Sequence, residues 1–420
     1  MVVVYCAHSS DGCVDLPTGR RMMISRTKWM SAGLSYRALW WLFVSTALCV
    51  SGAAIAFAGP REQAQRMHDR IAGVPASEAD LQAMEALIAG NNFVGAALYA
   101  TNNRHFYTVT LKNFAAPWTN RDQSAFVPLN DYTALVIGMV KDDEPFNQIL
   151  SADALYVGAG QPLPSASSNA HYEELERRMQ SPAFDPDTQL QRVTQSSVYP
   201  LPPEATAGAM TTRAAAEAFF VAGTNRAMFR FTLMNHMCMD LEQVQDTSLI
   251  PDRVRQDVSR SPGGDSRVFL NSCVGCHNGM DPLTQAFAYY NFNEAAGSIE
   301  YTAGPVQPTY FNNEETFPDG FVTPDDSWEN YWREGQNALL GWDNNLAGAG
   351  AGAKSLGVEF AASDAFAQCQ VKKVFRAVCL RDPVDGDDRL EVAGMVNNFR
   401  NSNFNLRNVF AESAAYCRGD

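Results

Sequence analysis

The chain has 420 residues, 46% hydrophobic and 19% charged, which is enough to bury a substantial core and to form two or three domains. Its formal net charge of -14 argues against a nucleic-acid partner, because phosphate backbones are bound by clustered Lys and Arg. An acidic surface suits solubility and partners that dock through a basic face.

The first 58 residues have the pattern of a secretory signal peptide. Basic residues precede an apolar stretch over 38–58, which ends in the small-x-small sequence Ala56-Phe57-Ala58. The segment before this stretch is long, so the true start can also be one of three methionines: Met22, Met23 or Met30. An uncleaved membrane anchor is the alternative, because about 20 apolar residues can span a bilayer. Polar interruptions favour cleavage, and we predict export to the periplasm or the extracellular space.

Residues 59–205 are predicted to form a mainly helical N-terminal domain. Four segments have helical periodicity: 59–74, 77–89, 132–140 and 146–150. Ser77 is a candidate N-cap for the second of them. Residues 106–111, Phe-Tyr-Thr-Val-Thr-Leu, are the best candidate for a short strand. The segments 158–170 and 181–206 are rich in Pro, Ser and Gln, which is typical of loops, so we expect a domain boundary near residue 200.

Residues 206–420 are predicted to form the second domain. A helical pattern runs from residue 211 to 241 with a break at Gly223, and a polar, turn-rich segment follows over 252–265. This segment leads into Cys-Val-Gly-Cys-His at residues 273–277. In an exported chain, C-x-x-C-H is the sequence at which haem is joined covalently to two thiols.

The spacing of the motif has a mechanical reason. Two cysteines about one helical turn apart can meet two vinyl groups on one porphyrin edge, and the adjacent His is then directed under the ring. We therefore expect one covalently attached haem c, held by Cys273 and Cys276, with His277 as the proximal iron ligand. The chain contains one such motif, which argues against a multihaem protein.

Two other uses of the motif fit the sequence less well. A structural zinc site would need a fourth ligand, usually from a second close pair, but the remaining cysteines are dispersed. A thioredoxin-like redox pair would need a strand before the motif, and residues 267–272 show little sign of one. Haem attachment is the favoured interpretation because the motif and the export signal agree.

Aromatic residues are concentrated after the motif. The run at 287–292 is suited to contact a porphyrin edge. Residues 300–360 are predicted to form an ordered insertion, with the alternating Ala and Gly of 347–353 as its most flexible part. Its three tryptophans form either a lid over the haem or a satellite core, and we favour the core: Trp328, Trp332 and Trp342.

The C-terminal end is predicted to be helical over three segments: 363–381, 387–400 and 404–416. Cys369 and Cys379 lie on the first of these helices, about 15 Å apart along its axis, so they cannot bond each other. Six of the nine cysteines remain after signal cleavage, an even number that suits an oxidising compartment. We expect two disulfides: Cys379–Cys417 and Cys238–Cys369.

The sequence from Cys273 to Leu283, Cys-Val-Gly-Cys-His-Asn-Gly-Met-Asp-Pro-Leu, followed by Phe287 and Asn291-Phe292, resembles the haem-binding segment of planctomycete-type cytochromes. These are families of exported bacterial proteins, mostly without assigned activity. The segment from Phe399 to Phe410 looks like the end of their C-terminal domain, and Cys238 matches a cysteine that precedes their haem segment.

The resemblance covers about residues 215–420 and, more faintly, 128–158. It implies a mainly α fold, in which a cytochrome-c-like haem module is embedded in a larger helical scaffold with a minor β element. It assigns haem attachment and iron binding to the same three motif residues. Thr284 stands where the family has Gly, so the turn there can differ. The resemblance supplies no substrate.

A sixth iron ligand would distinguish an electron carrier from a catalyst. Met395 lies between C-terminal helices, the region from which small c-type cytochromes draw a methionine, and it is the first candidate. His236 and Met239, near Cys238, are the alternatives, and an open iron position is the third possibility. Met280 lies on the proximal side of the ring, because it follows the iron-binding histidine by less than one helical turn.

Three functions are compatible with this sequence. We favour a monohaem c-type cytochrome that transfers electrons between exported redox partners. The alternative is a haem enzyme, peroxidase-like or a dehydrogenase subunit, with an open distal iron position; the length of the chain is its main support. A structural or sensing subunit is the third. No residue is assigned a catalytic role.

Overall fold

The structure is a computed structural model that describes residues 58–221 and 223–419. The predicted signal peptide, residues 1–58, lies outside this range except for its last residue. Within the described part of the chain, no helix is both long enough and apolar enough to cross a bilayer.

The described chain is mainly helical, with 57% helix and 7% strand, which confirms the predicted fold class. It contains twelve α-helices of seven or more residues: α1 (Pro60–Ala72), α2 (Glu78–Ala89), α3 (Phe93–Ala100), α4 (Asp131–Lys141), α5 (Ala170–Met179), α6 (Arg213–Phe219), α7 (Arg226–Met237), α8 (Val274–Thr284), α9 (Gly352–Ala361), α10 (Asp364–Cys379), α11 (Gly386–Asn401) and α12 (Leu406–Tyr416). Shorter α-helical segments are Lys112–Ala115, Pro186–Gln189 and Ser266–Val268.

The predicted terminal helices are confirmed. The Ser77 hydroxyl accepts a hydrogen bond of 3.2 Å from the Asp80 amide and so caps α2 as expected. The bounds of the helices α10, α11 and α12 lie within two residues of the predicted ones. Each begins at a side-chain cap, which the sequence displays locally.

The predicted strand at residues 106–111 is wrong, because Phe106–Leu111 forms a π-helical turn. Its side chains face other helices rather than a neighbouring strand. The Phe106 ring is fully buried and lies 5.1 Å from the ring of Phe410 in α12. Strand propensity reflects side-chain packing in a sheet, and here packing against distant helices prevails.

The β structure consists of three antiparallel two-stranded sheets. Their strands are β1 (Leu155–Gly158) with β2 (Leu190–Val193), β3 (Tyr290–Asn293) with β4 (Ser298–Tyr301), and β5 (Ser327–Glu329) with β6 (Ala349–Ala351). The strand β2 and the helix α5 lie in or beside segments predicted as loops, and β6 lies in the segment predicted to be most flexible. These strands are short, so a sequence pattern carries little sign of them.

One hydrophobic core contains residues from both sides of position 205, and the described residues form a single compact unit. The helix α3 packs against α12, and α9 packs against the segment Phe146–Leu150. At Gly357 in α9, an added Cβ would lie 1.9 Å from the Leu150 carbonyl oxygen. Core residues on both sides of the boundary expected near residue 200 therefore pack together.

The three tryptophans of the insertion are core residues. Trp328, Trp332 and Trp342 are all buried in the main hydrophobic core, as favoured over a lid. Trp332 lies against α8, where a Cβ added to Gly279 would lie 1.8 Å from the indole nitrogen. The insertion therefore fixes the position of the helix that carries the motif.

Two disulfides have the predicted pairings: one joins the C-terminal helices to α7, and the other joins α10 to the residue that follows α12. Cys238, at the end of α7, bonds Cys369 in α10 with a Cα–Cα distance of 5.3 Å. Cys379, at the end of α10, bonds Cys417 after α12 with a Cα–Cα distance of 5.5 Å. The spacing along α10 explains why its two cysteines find different partners.

Candidate functional site

The motif begins at a break in helical geometry. A π-helical turn, Phe269–Cys273, leads directly into α8, and such turns are frequent at functional sites. Nine of the eleven residues of α8 are buried, and the two exceptions are Cys276 and His277. Together with the partly exposed Cys273, they form a small surface that we call the motif window. A buried helix thus presents to solvent only the side chains that the motif needs.

Both thiols of the motif window are free, whereas the other four cysteines in the described residues are paired in disulfides. The Cys276 thiol donates a hydrogen bond of 3.6 Å to the Leu241 carbonyl oxygen. Burial, followed by the nearby charge of Glu242, raises the pKa of this thiol. A catalytic dithiol needs the opposite shift, so this site does not resemble a thioredoxin-like pair.

The surroundings do not resemble a structural zinc site. Within residues 58–221 and 223–419, no group of three or more His, Cys, Asp or Glu side chains is placed to hold a metal ion. Structural zinc takes four protein ligands, whereas haem iron takes one axial ligand from this side. Two thiols and one imidazole supply fewer ligands than a structural zinc ion takes.

The imidazole of His277 is held by a buried carboxylate one helical turn further along α8. Its Nδ1 lies 3.1 Å from each carboxylate oxygen of Asp281, and Asp281 has no solvent exposure. Residues four apart share one helix face, which brings these two side chains together. An ionised carboxylate only accepts hydrogen bonds, so Nδ1 carries the hydrogen and Nε2 is left to bind a metal.

Two arginines keep Asp281 ionised. The Arg226 guanidinium, at the start of α7, donates to both carboxylate oxygens at 2.8 and 2.9 Å, and it also binds Asp257. The Arg255 amide donates to Asp281 at 3.3 Å. Burial alone would raise the pKa of Asp281, but the charge of Arg226, with that of Arg255 and the hydrogen bond from His277, holds this pKa well below its usual value.

These observations fit one face of a haem c. The two free thiols can form thioethers, the imidazole has a fixed tautomer, and the helix beneath them is immobilised in the core. Leu270, which is 57% exposed and lies three residues before Cys273, adds an apolar side chain near the window. The aromatic run expected to contact the porphyrin edge lies elsewhere, since Phe287 and Tyr290 are buried against Phe220.

The structure does not bring Met395 or His236 to the motif window. Met395 is buried in α11, where its sulfur accepts a hydrogen bond of 3.6 Å from the Ser413 hydroxyl. His236 is buried in α7, with its Nε2 only 2.7 Å from the Tyr132 hydroxyl and its ring parallel to that of Phe366. Each of these side chains is part of the core.

Two other methionines lie closer to the motif: Met239, a distal candidate, and Met280, which was excluded as one. Met239 is partly buried and precedes by two residues Leu241, whose carbonyl contacts Cys276. Met280 is buried on α8 itself and belongs to the hydrophobic core. Of the distal candidates, Met239 therefore belongs to the chain segment that borders the motif window.

Asp281 and Arg226 are the site residues that sequence reasoning missed. The spacing of His277 and Asp281 was a usable signal, because a carboxylate four residues after a histidine in a helix lies within reach of it. Arg226 precedes Asp281 by 55 residues, and no local pattern indicates that contact.

Comparison of the chain with known protein families, with curated proteins and with solved structures gave no match.

Proposed function

We propose that this chain is an exported c-type cytochrome with one haem attached to Cys273 and Cys276 and with His277 as its proximal ligand. In this role it transfers electrons between exported redox partners, because haem iron cycles between two oxidation states. The observation that carries the proposal is the motif window: two free thiols beside an imidazole whose Nδ1 is held by the buried Asp281.

Each side chain has a separate task in this proposal. The cysteines anchor the group, His277 provides the axial nitrogen, and Asp281 keeps the imidazole in the required tautomer. Covalent attachment suits the location, because a window at the surface encloses a ligand less than an internal cavity does. The resemblance to planctomycete-type cytochromes supports the same assignment.

Export is supported by the signal-like N-terminus and by the two disulfides, which persist in oxidising compartments. The charge near the thiols is negative, since Glu242 and Asp240 both act on Cys276. A redox partner with a basic docking face would match this surface.

Expression of the full chain in a bacterium that carries the haem-ligation machinery tests the proposal. Intact-mass analysis of the exported protein is expected to show the chain without its signal peptide and with one haem added. Replacement of both motif cysteines, Cys273→Ser with Cys276→Ser, is expected to abolish the added mass. The matched control replaces the disulfide cysteines, Cys379→Ser with Cys417→Ser, and should retain haem. Wild-type protein that shows only the polypeptide mass would refute the proposal.

One observation favours the second candidate, a haem enzyme with an open distal position. The two first distal candidates, Met395 and His236, are engaged elsewhere in the core. Spectra of the holoprotein with and without carbon monoxide separate the two functions. A low-spin spectrum that carbon monoxide leaves unchanged identifies a carrier, and conversion by Met239→Ala to a form that binds carbon monoxide would assign that methionine as the ligand. High-spin iron that binds carbon monoxide in the wild type identifies the enzyme.

A further inference from the structure

The carboxylate of Asp281 contacts both the His277 imidazole and two arginines. Each oxygen of Asp281 lies 3.1 Å from the imidazole Nδ1, and each also accepts one hydrogen bond from Arg226. Arg255 adds a second positive charge, with a guanidinium nitrogen 3.9 Å from the carboxylate. Asp281 has no solvent exposure, so water screens the interactions between these charges only weakly.

The hydrogen bond and the charges act on the imidazole in opposite directions. A carboxylate that accepts the Nδ1 hydrogen makes the ring a more basic ligand, and a more basic axial ligand stabilises oxidised iron. Arg226 donates hydrogen bonds to the same carboxylate oxygens, so it weakens the hydrogen bond between Asp281 and the imidazole. Arg226 also donates hydrogen bonds of 2.6 and 3.0 Å to the Asp257 carboxylate, and this second contact limits its effect on Asp281.

We propose that Asp281 and Arg226 act as an opposed pair that sets the reduction potential through His277, with Asp281 lowering the potential and Arg226 raising it. Both are positioning residues, because they act through the ligand and not on the iron. The inference rests on the proposed haem attachment. The reduction potential that the pair sets would determine with which redox partners the chain exchanges electrons.

Redox titration of the purified holoprotein tests the pair. Asp281→Asn is expected to raise the midpoint potential and Arg226→Gln to lower it. We expect each change to alter the ratio of reduced to oxidised protein about tenfold at a fixed solution potential, which is about 59 mV for one electron. Arg253→Gln is the matched control, because Arg253 is a nearby arginine that pairs with Glu329 instead, and it should shift the potential much less. The conservative variants Asp281→Glu and Arg226→Lys should return the potential towards the wild-type value.

A purely structural role predicts a different result. Loss of either partner would then loosen the same salt bridge, and both variants would shift the potential in the same direction or leave it unchanged. Asp257→Asn provides a further test if Asp281→Asn does not fold, because it leaves the His277 contact intact and frees Arg226 to act on Asp281. It should raise the potential. An unchanged or lowered value would overturn the inference. A wild-type protein without haem would refute the proposed function, whereas a wild-type haem protein insensitive to these variants would refute only the opposed pair.

Discussion

Two histidines lie beside cysteines on neighbouring helices, and the structure gives them different surroundings. His277 keeps 19% of its side chain exposed and has a carboxylate behind it, whereas His236 is enclosed by Tyr132 and Phe366. One ring is orientated with a nitrogen available at the surface, and the other has its Nε2 occupied by a tyrosine hydroxyl. A histidine near a cysteine is therefore a ligand candidate only where one ring edge stays accessible and the other nitrogen is held.

The cysteines repeat this contrast. Those of the motif window are unpaired in the structure, and those beside the C-terminal helices hold separate elements together. Spacing distinguishes the two uses, because residues three apart at a helix start share one surface, while residues 38 and 131 apart bridge distant parts of the chain.

The largest expected effect comes from replacing each of the two histidines separately with alanine. His277→Ala removes the proximal ligand, so we expect the attached haem to lose its axial imidazole and its spectrum to change completely. His236→Ala should leave the spectrum unchanged but lower the free energy of unfolding by about 3 kcal/mol, because it opens a cavity and leaves the Tyr132 hydroxyl unpaired. Absorption spectra and urea unfolding measure both effects. A spectral change in His236→Ala would contradict the assignment of His236 to the core and of His277 to the haem.

Loss of a disulfide should be the next largest effect. The double variant Cys379→Ser with Cys417→Ser is expected to lower the free energy of unfolding by about 3 kcal/mol, because the unfolded chain regains the freedom of a closed loop. Its haem content should match that of the wild type. Denaturant unfolding and haem content per chain are the measurements, and a fall in both would show that the C-terminal helices and the motif window are coupled.

A smaller effect is expected at the contact between the insertion and α8. Gly279→Ala places a Cβ 1.8 Å from the Trp332 indole nitrogen, so overpacking should cost about 2 kcal/mol of unfolding free energy. Gly394→Ala is the control, because nothing lies within 4 Å of a Cβ at that helical position. Alanine favours a helix over glycine, so the control should be neutral or slightly stabilising. Equal destabilisation by both changes would show that Trp332 does not clamp α8.

The smallest effect concerns the pH dependence of stability. Burial, and then the charge of Lys373, hold the pKa of His236 well below its usual value, so it stays neutral in the folded protein. The unfolded chain binds a proton here below about pH 6.5, so stability should fall as the pH drops through that value, by about 1.4 kcal/mol per pH unit. His236→Gln should reduce this slope. Unfolding titrations between about pH 7 and pH 5 measure it, and an unchanged slope would mean that other groups cause it.

The sequence predicted those elements whose signals are local. Helical periodicity sufficed to place α2 and α10, with Ser77 as the predicted cap of α2, and the spacing of Cys369 and Cys379 excluded a bond between them. The π-helical turn at Phe106–Leu111 has the aromatic and β-branched composition that is typical of strands, whereas in the structure its Phe106 ring packs against Phe410 of α12.

The motif, its three side chains and the mainly α class were determined by the sequence itself, because they depend on residues within one or two helical turns of each other. Only the tertiary structure showed which of those side chains reach solvent, which histidine has a free edge and which carboxylate stands behind it. Arg226 and Trp332 come from two other segments of the chain and contact Asp281 and Gly279 of α8. Such contacts depend on how distant segments of the chain pack together, and local sequence patterns do not show this.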